Sequence, residues 1–140
     1  DPIPAEILEK HNFPEINRVV YGFGISNVED IKIKSGYLTP DRVELLRKAD
    51  KIVQDAIFKK NIYEEIWQFP VVLLPVGINK QGDESLVLRG VQSMDAMSAN
   101  FYEMDWLTVK EIADDVMMIP GISAVLYDIT NKPPGTIEWE

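Results

Sequence analysis

The residues best equipped for chemistry stand together in the last ten positions, Asn131-Lys132-Pro133-Pro134-Gly135-Thr136-Ile137-Glu138-Trp139-Glu140. Two prolines follow Lys132 and bias it toward extended geometry. Gly135 lets the backbone turn or approach another group closely. A lysine held in this way is a compact point charge suited to a phosphate or carboxylate. Thr136 has a hydroxyl that can donate to the same anion, and Glu138 can accept from hydroxyl or ring N–H groups. From Thr136 onward the residues alternate, so a strand here would put Ile137 and Trp139 on one face and Thr136, Glu138 and Glu140 on the other. Read blandly, the same residues are an edge strand tucked in by Ile137 and Trp139. Read functionally, they are an anion-binding arm.

Elsewhere the sequence argues against self-sufficient catalysis. It contains no cysteine, hence no thiol nucleophile, disulfide or Cys-ligated metal, which fits a reducing compartment. Its single histidine, His11, cannot build a multi-histidine metal site and reads as an exposed helix-end residue. There is no GxGxxG or GxxxxGK[ST] phosphate loop and no GxSxG nucleophile elbow. The pairs Asp114–Asp115 and Glu64–Glu65 are adjacent, so on a helix they point about 100° apart and read as solvated faces. Asn79–Glu84 lacks the alternating ligands of a calcium loop. No catalytic residue and no metal ligand is assigned.

The elements that must position the tail fit one domain. The sequence has 140 residues, 46% hydrophobic and 26% charged, in the soluble globular range and long enough for a sizeable core. A net charge of −9 disfavours nucleic acid as a partner, though it leaves room for a nucleotide in one local basic pocket. No apolar run is long enough for a membrane span and no signal peptide opens the sequence. Starting at DPIPAEILEK without a methionine, it reads as a piece of a cytoplasmic protein.

Periodicity gives the order. Pro4–His11 reads as a short helix, NRVVYGFG (17–24) as a strand, and DIKIK (30–34) as an edge strand guarded by its lysines. The strongest helix opens at the N-cap Thr39 with Pro40 in the first position. Its apolar face of Val43, Leu46, Ala49, Ile52, Val53, Ala56 and Ile57 predicts an end near Lys59. QFPVVLLPVG (68–77) predicts a strand buried on both faces and interrupted at its prolines, with SLVLRGV (85–91) returning as a hairpin. Thr108 and Glu111 form a capping box for a second helix, ended by Pro120-Gly121. SAVLYDI (123–129) is a strand, and GTIEWE (135–140) a last one. PEINRVVY (14–21) echoes PGISAVLY (120–127), a weak internal repeat. The class is α+β: α-β-β-α-β-β with a mostly antiparallel sheet and helices on one face, preceded by a partial α-β-β element. The partial element spans 1–38 and the full unit 39–140.

Read from Tyr127, YDITNKPPGTIEWE strongly resembles the C-terminal signature of the GMP synthases, glutamine-hydrolysing ligases that convert xanthosine monophosphate (XMP) to GMP. LLRKADKIVQDAI (45–57), WQFPVVLLPV (67–76) and LRGVQSMDAMSA (88–99) resemble that family's dimerisation domain in the same order, so the likeness runs from Thr39 to Glu140. The front, NRVVYGFG, is similar to the junction in members that carry two tandem copies, which would make 39–140 the second copy.

The resemblance implies that the tail contacts XMP. Lys132, Ile137 and Glu138 match the tail's nucleotide contacts, Gln68 matches a further XMP-contacting glutamine, and Thr136 and Asp83 join them as candidates. Where the family has GDxR, this sequence keeps Asp83 but has Ser85 in place of the arginine. It also lacks the RHPFPGPG segment, the SGGVDS loop of the ATP pyrophosphatase and the glutaminase cysteine. No cofactor is therefore expected on this chain. ATP and Mg are expected in the missing catalytic domain, and the partners implied are XMP, the ATP pyrophosphatase and glutaminase domains, and a homodimer or tandem pairing. Two other classes compete: an assembly module without ligand contacts, and a KH-like RNA binder, against which the charge and the absence of a GXXG loop both argue.

Overall fold

Thr39 opens the longer helix: its hydroxyl oxygen accepts from the amide of Arg42, satisfying one of the donors a helix start leaves unpaired. The helix, α1, spans Pro40–Lys59 and buries Ala49, Val53 and Ile57. Asn61, at φ 57°, ends it in the left-handed region that asparagine tolerates better than most residues. The computed structural model from which these features are read describes residues 15–25, 27–79, 82–92 and 97–139. The expected helix at Pro4–His11, with His11, lies outside the described residues.

Among the described residues, eight strands accompany the helices: β1 (Val20–Phe23), β2 (Lys32–Ile33), β3 (Val71–Leu74), β4 (Val76–Gly77), β5 (Glu84–Leu88), β6 (Val91–Gln92), β7 (Asn100–Phe101) and β8 (Ile122–Asp128). The second helix, α2, spans Trp106–Met117. Four strands make the main sheet in the order β1-β8-β5-β3. β1 pairs antiparallel with β8, and β3 antiparallel with β5, while the central pair β5–β8 is parallel. A parallel pair needs a long crossover, and here β6, β7 and α2 provide it. Two small ribbons, β2–β4 and β6–β7, flank the sheet.

Alternation along β5 and β8 sorts the core into two layers. Leu86, Leu88, Val125 and Tyr127 meet α1 and α2 through Ala49, Val53, Ile57, Val109, Ile112 and Val116. Val87, Ala124 and Leu126 form a smaller cluster on the opposite face with Ile78, joined by Val20, Val72 and Trp139. Both helices thus lie on one face of a mainly antiparallel sheet, the expected α+β class. Trp139 of the tail helps to cover the other face.

Three local expectations change. The second helix begins three residues early, because Asp105 and not Thr108 is its cap and accepts from the amide of Thr108 at 3.2 Å. Thr108 is buried inside the helix instead. β3 is half-buried because it is an edge strand of the main sheet, and Pro75 separates it from β4 as its missing N–H requires. The last predicted strand does not form among the described tail residues. After a single bridge between Lys132 and Ala99, the chain runs through turns and bends, with cis peptide bonds at Lys132–Pro133 and Pro133–Pro134. Side-chain hydrogen bonds replace the ladder, as described next.

Candidate functional site

Two buried charges decide where the tail goes. Arg89 follows β5 and Asp128 ends β8, and neither side chain is exposed to solvent. By alternation both fall on the face opposite the helices, with Val87 and Leu126. Arg89 Nη1 stands 3.2 Å from Asp128 Oδ1, and Arg18, just before β1, brings its Nη1 within 3.1 Å of Asp128 Oδ2. Burial pushes the Arg89 guanidinium below its ordinary pKa; Asp128 opposes that shift and Arg18 adds to it.

One carboxylate facing two guanidinium groups leaves an excess positive charge, and backbone carbonyls answer it. Arg89 donates to the Thr130 carbonyl and, at 3.0 Å, to the Thr136 carbonyl. Arg18 donates to the Thr136 carbonyl at 2.8 Å, to Thr136 Oγ1 at 2.6 Å and to the Glu138 carbonyl at 2.5 Å. Trp139 closes the arrangement: its indole N–H donates to Asp128 Oδ2 at 2.7 Å while the Arg18 guanidinium lies 5.3 Å from the ring centroid. Among the described residues, the Nε of Arg89 is the one buried side-chain nitrogen or oxygen without a hydrogen-bond partner, a desolvation cost of about 1–3 kcal/mol.

The tail residues named from sequence are therefore positioned by contacts that sequence reasoning missed. Thr136 has its hydroxyl bonded within the tail, accepting from Arg18 and donating to the Glu138 carbonyl. Ile137 is half-buried and the Glu138 side chain is exposed. Their alternating burial matches the expectation although no strand forms. Lys132, half-buried, exchanges backbone hydrogen bonds with Ala99 at 2.8 and 3.1 Å.

Gln68 is exposed and makes the equivalent backbone bridge to Val91, on the other side of the β6–β7 ribbon. From Gln68 across β6 and β7 to Lys132 is three strand spacings, about 14 Å. The structure thus brings Gln68 and the tail to the same end of the sheet, flanking one ribbon. Beside that ribbon lies a cleft of about 770 Å³ bordered by Glu64, Glu65, Trp67, Gln92, Ser98 and Asn100. The charged residues that border the cleft, Glu64 and Glu65, can accept from hydroxyl and N–H groups, while Lys132 approaches only through its backbone bridge to Ala99.

Two buried tyrosines tie Glu65, at the cleft border, to the core. Tyr102 donates to Glu65 Oε2 at 2.7 Å, and the Tyr127 hydroxyl donates to the Tyr102 carbonyl. Burial, then the hydrogen bond and charge of Glu65, raises the Tyr102 hydroxyl to about 12. Burial likewise raises Tyr127 well above the ordinary tyrosine range.

Asp83 is not part of this grouping. It is exposed just before β5, at the opposite end of the sheet, roughly 16 Å or more away along the strand. Ser85, at the position of the expected arginine, is fully buried and donates to the Val76 carbonyl at 2.6 Å. A signal for the missed residues existed: Arg89 and Asp128 are charges inside the apolar runs SLVLRGV and SAVLYDI, where an ion survives only when paired. Among the described residues, no cluster of three His, Cys, Asp or Glu could hold a metal ion, and no helix is long and apolar enough to cross a membrane.

Comparison with known proteins places these features in a family. Residues 55–139 match the family described as GMP synthase C terminal domain. A probable glutamine-hydrolysing GMP synthase of Leptospira interrogans is 52% identical over 97 residues, covering 69% of this chain and 16% of its own length. The GMP synthases of Symbiobacterium thermophilum and Phenylobacterium zucineum are 39% and 41% identical over 145 residues, covering 99% of this chain and 26% of their own lengths. The chain thus spans about a quarter or less of the relatives it matches. With most of its sequence and its tail up to Trp139 inside the match, this chain belongs to the GMP synthase C-terminal domain family.

Proposed function

We propose that this chain supplies XMP contacts and unit-to-unit assembly to the ATP-dependent amination of XMP to GMP, in the cytoplasm. The observation that carries the reading is the placement of Lys132 and Gln68 on the two sides of one ribbon, beside a tail pinned by Arg18 and Arg89. Lys132 neutralises phosphate charge, Gln68 and the Glu138 carboxylate bond to ribose or base edges, and Ile137 contributes packing or its backbone. Thr136 acts through the tail's conformation. The roles proposed for these residues are binding roles, with none assigned as nucleophile or general base. The contribution is orientation of a bound substrate, while ATP, Mg and the glutaminase chemistry belong to domains outside these residues. Asp83, at the far end of the sheet, serves a nucleotide held by a neighbouring unit.

Assembly has its own support. The repeated segments 14–21 and 120–127 supply β1 and β8, and in their antiparallel pairing the matching Tyr21 and Tyr127 stand directly opposite each other. Equivalent residues facing one another across antiparallel strands are what a local two-fold axis produces. We read β1 as the last strand of a preceding copy, within the element 1–38, seated on the last strand of 39–140. An assembly-only module is the second reading, favoured by this pairing alone.

A backbone-amide NMR titration with XMP, with AMP as control, separates the two. Shifts at Gln68, Lys132 and 136–139 with XMP alone are the expected result. Their absence, together with an unchanged XMP KM for Lys132→Ala in the enzyme that contains this domain, would remove the substrate role and leave assembly.

A further inference from the structure

We infer that Arg18 is a positioning residue for the substrate-contacting tail, reaching it from across the β1–β8 seam; the substrate part of this inference rests on the function proposed above. Arg18 lies before β1, on the same face of the sheet as Val20 and Asp128. Of its four hydrogen bonds among the described residues, one goes to Asp128 and three go to the tail, at the Thr136 carbonyl, the Thr136 hydroxyl and the Glu138 carbonyl. Gly135 leaves room for this approach: a Cβ there would stand 3.0 Å from Arg18 Nη1 and 3.1 Å from Thr130 Cγ2. A planar guanidinium is suited to such divergent acceptors, where an ammonium is not.

The origin of the side chain gives the contact its consequence. Arg89 grips the tail from β5, whereas Arg18 grips it from the front segment that makes the edge strand β1. No ladder holds 133–139, so the pose of Glu138 and Trp139 depends on β1 being seated against β8. Assembly across the seam and presentation of the tail are thereby one event. A purely structural role, an ion pair with Asp128, would need only the charge of Arg18.

The test is the backbone order of this 140-residue chain, read from amide NMR relaxation at 136–139 against β8, alongside the XMP titration. Arg18→Ala should lower the order parameters of 136–139 from about 0.85 to below about 0.6 while leaving those of β8 unchanged, because only the tail loses its held conformation. It should also weaken the XMP-induced shifts by about tenfold. Unchanged tail order overturns the inference. Arg18→Lys should recover thermal stability more completely than tail order, and full recovery of both would overturn the role given to the guanidinium fork. If Arg18→Ala loosens β8 as well, Thr136→Val decides when made both in the wild type and in Arg18→Lys, since it removes the hydroxyl's contact with Arg18 together with its bond to the Glu138 carbonyl. A loss of tail order that is smaller in the Arg18→Lys background supports the inference, and an equal loss in both overturns it. A wild-type chain whose tail ignores XMP, but loosens on Arg18→Ala, sinks the substrate reading and leaves the hold of Arg18 on the tail intact.

Discussion

The two ends of the central strand pair solve the same electrostatic problem differently. At the start of β5, Glu84 is buried and faces Arg42 through two contacts, at 2.9 and 3.1 Å, and Lys34 at 3.1 Å. At the end of β8, Asp128 is buried and faces Arg18 and Arg89. Each carboxylate thus has two cations. The difference is in the cations: the side chains of Lys34 and Arg42 are 44% and 21% exposed, those of Arg18 and Arg89 12% and 0%. Exposed cations keep their water and their excess charge is screened. Buried ones must find protein acceptors, and the acceptors at this end are the carbonyls of the tail. A surplus of buried positive charge is thus the physical reason that an irregular segment holds one conformation.

The same acid-to-amide change at each end tests the comparison. Asp128→Asn leaves two arginines without a counter-ion and should lower unfolding stability by about 3–5 kcal/mol, read from the urea midpoint. A loss no larger than that of Glu84→Gln would break the distinction between the two ends.

Alkaline titration sharpens it from the cleft side. Tyr102 is raised from an ordinary value near 10 to about 12 in the folded chain. The folded state therefore holds the proton more tightly than the unfolded state, so the associated stability is complete below about pH 10 and is lost as pH rises through about 12. The loss should be on the order of 2 kcal/mol, and Tyr127 shifts in the same direction. Tyr102→Phe should flatten this part of the stability curve between pH 9 and 12. An unaltered slope would assign the alkaline loss to other groups.

Glu84→Gln should have the smallest effect, about 1–2 kcal/mol, because Arg42 and Lys34 recover hydration when the charge is removed. Added salt should reduce the difference between wild type and this variant. Salt should matter less for Asp128→Asn, whose partners are shielded from ions.

Much of the chain was determined by its sequence locally. The span of α1 follows from Thr39, Pro40 and an apolar face at helical spacing, and the break between β3 and β4 follows from Pro75, because caps, rings and periodicity act within a few residues. The tail's stiffness and the alternating burial of Thr136 to Trp139 were equally readable. The family resemblance of YDITNKPPGTIEWE pointed to the right family for the same reason, a local string being enough to carry it.

What only the tertiary structure decided lies at long sequence separation. Arg18 meets Thr136 and Glu138, and Arg89 meets Asp128, across strands whose neighbours the sequence does not name. Asp105 outcompeted Thr108 as a cap once Thr108 was needed inside the core. The tail gave up its predicted ladder because the strands at that end were already occupied by buried arginines seeking carbonyls. Periodicity tells which face a residue takes, but it does not tell which charge will stand opposite, and that pairing is what placed the tail.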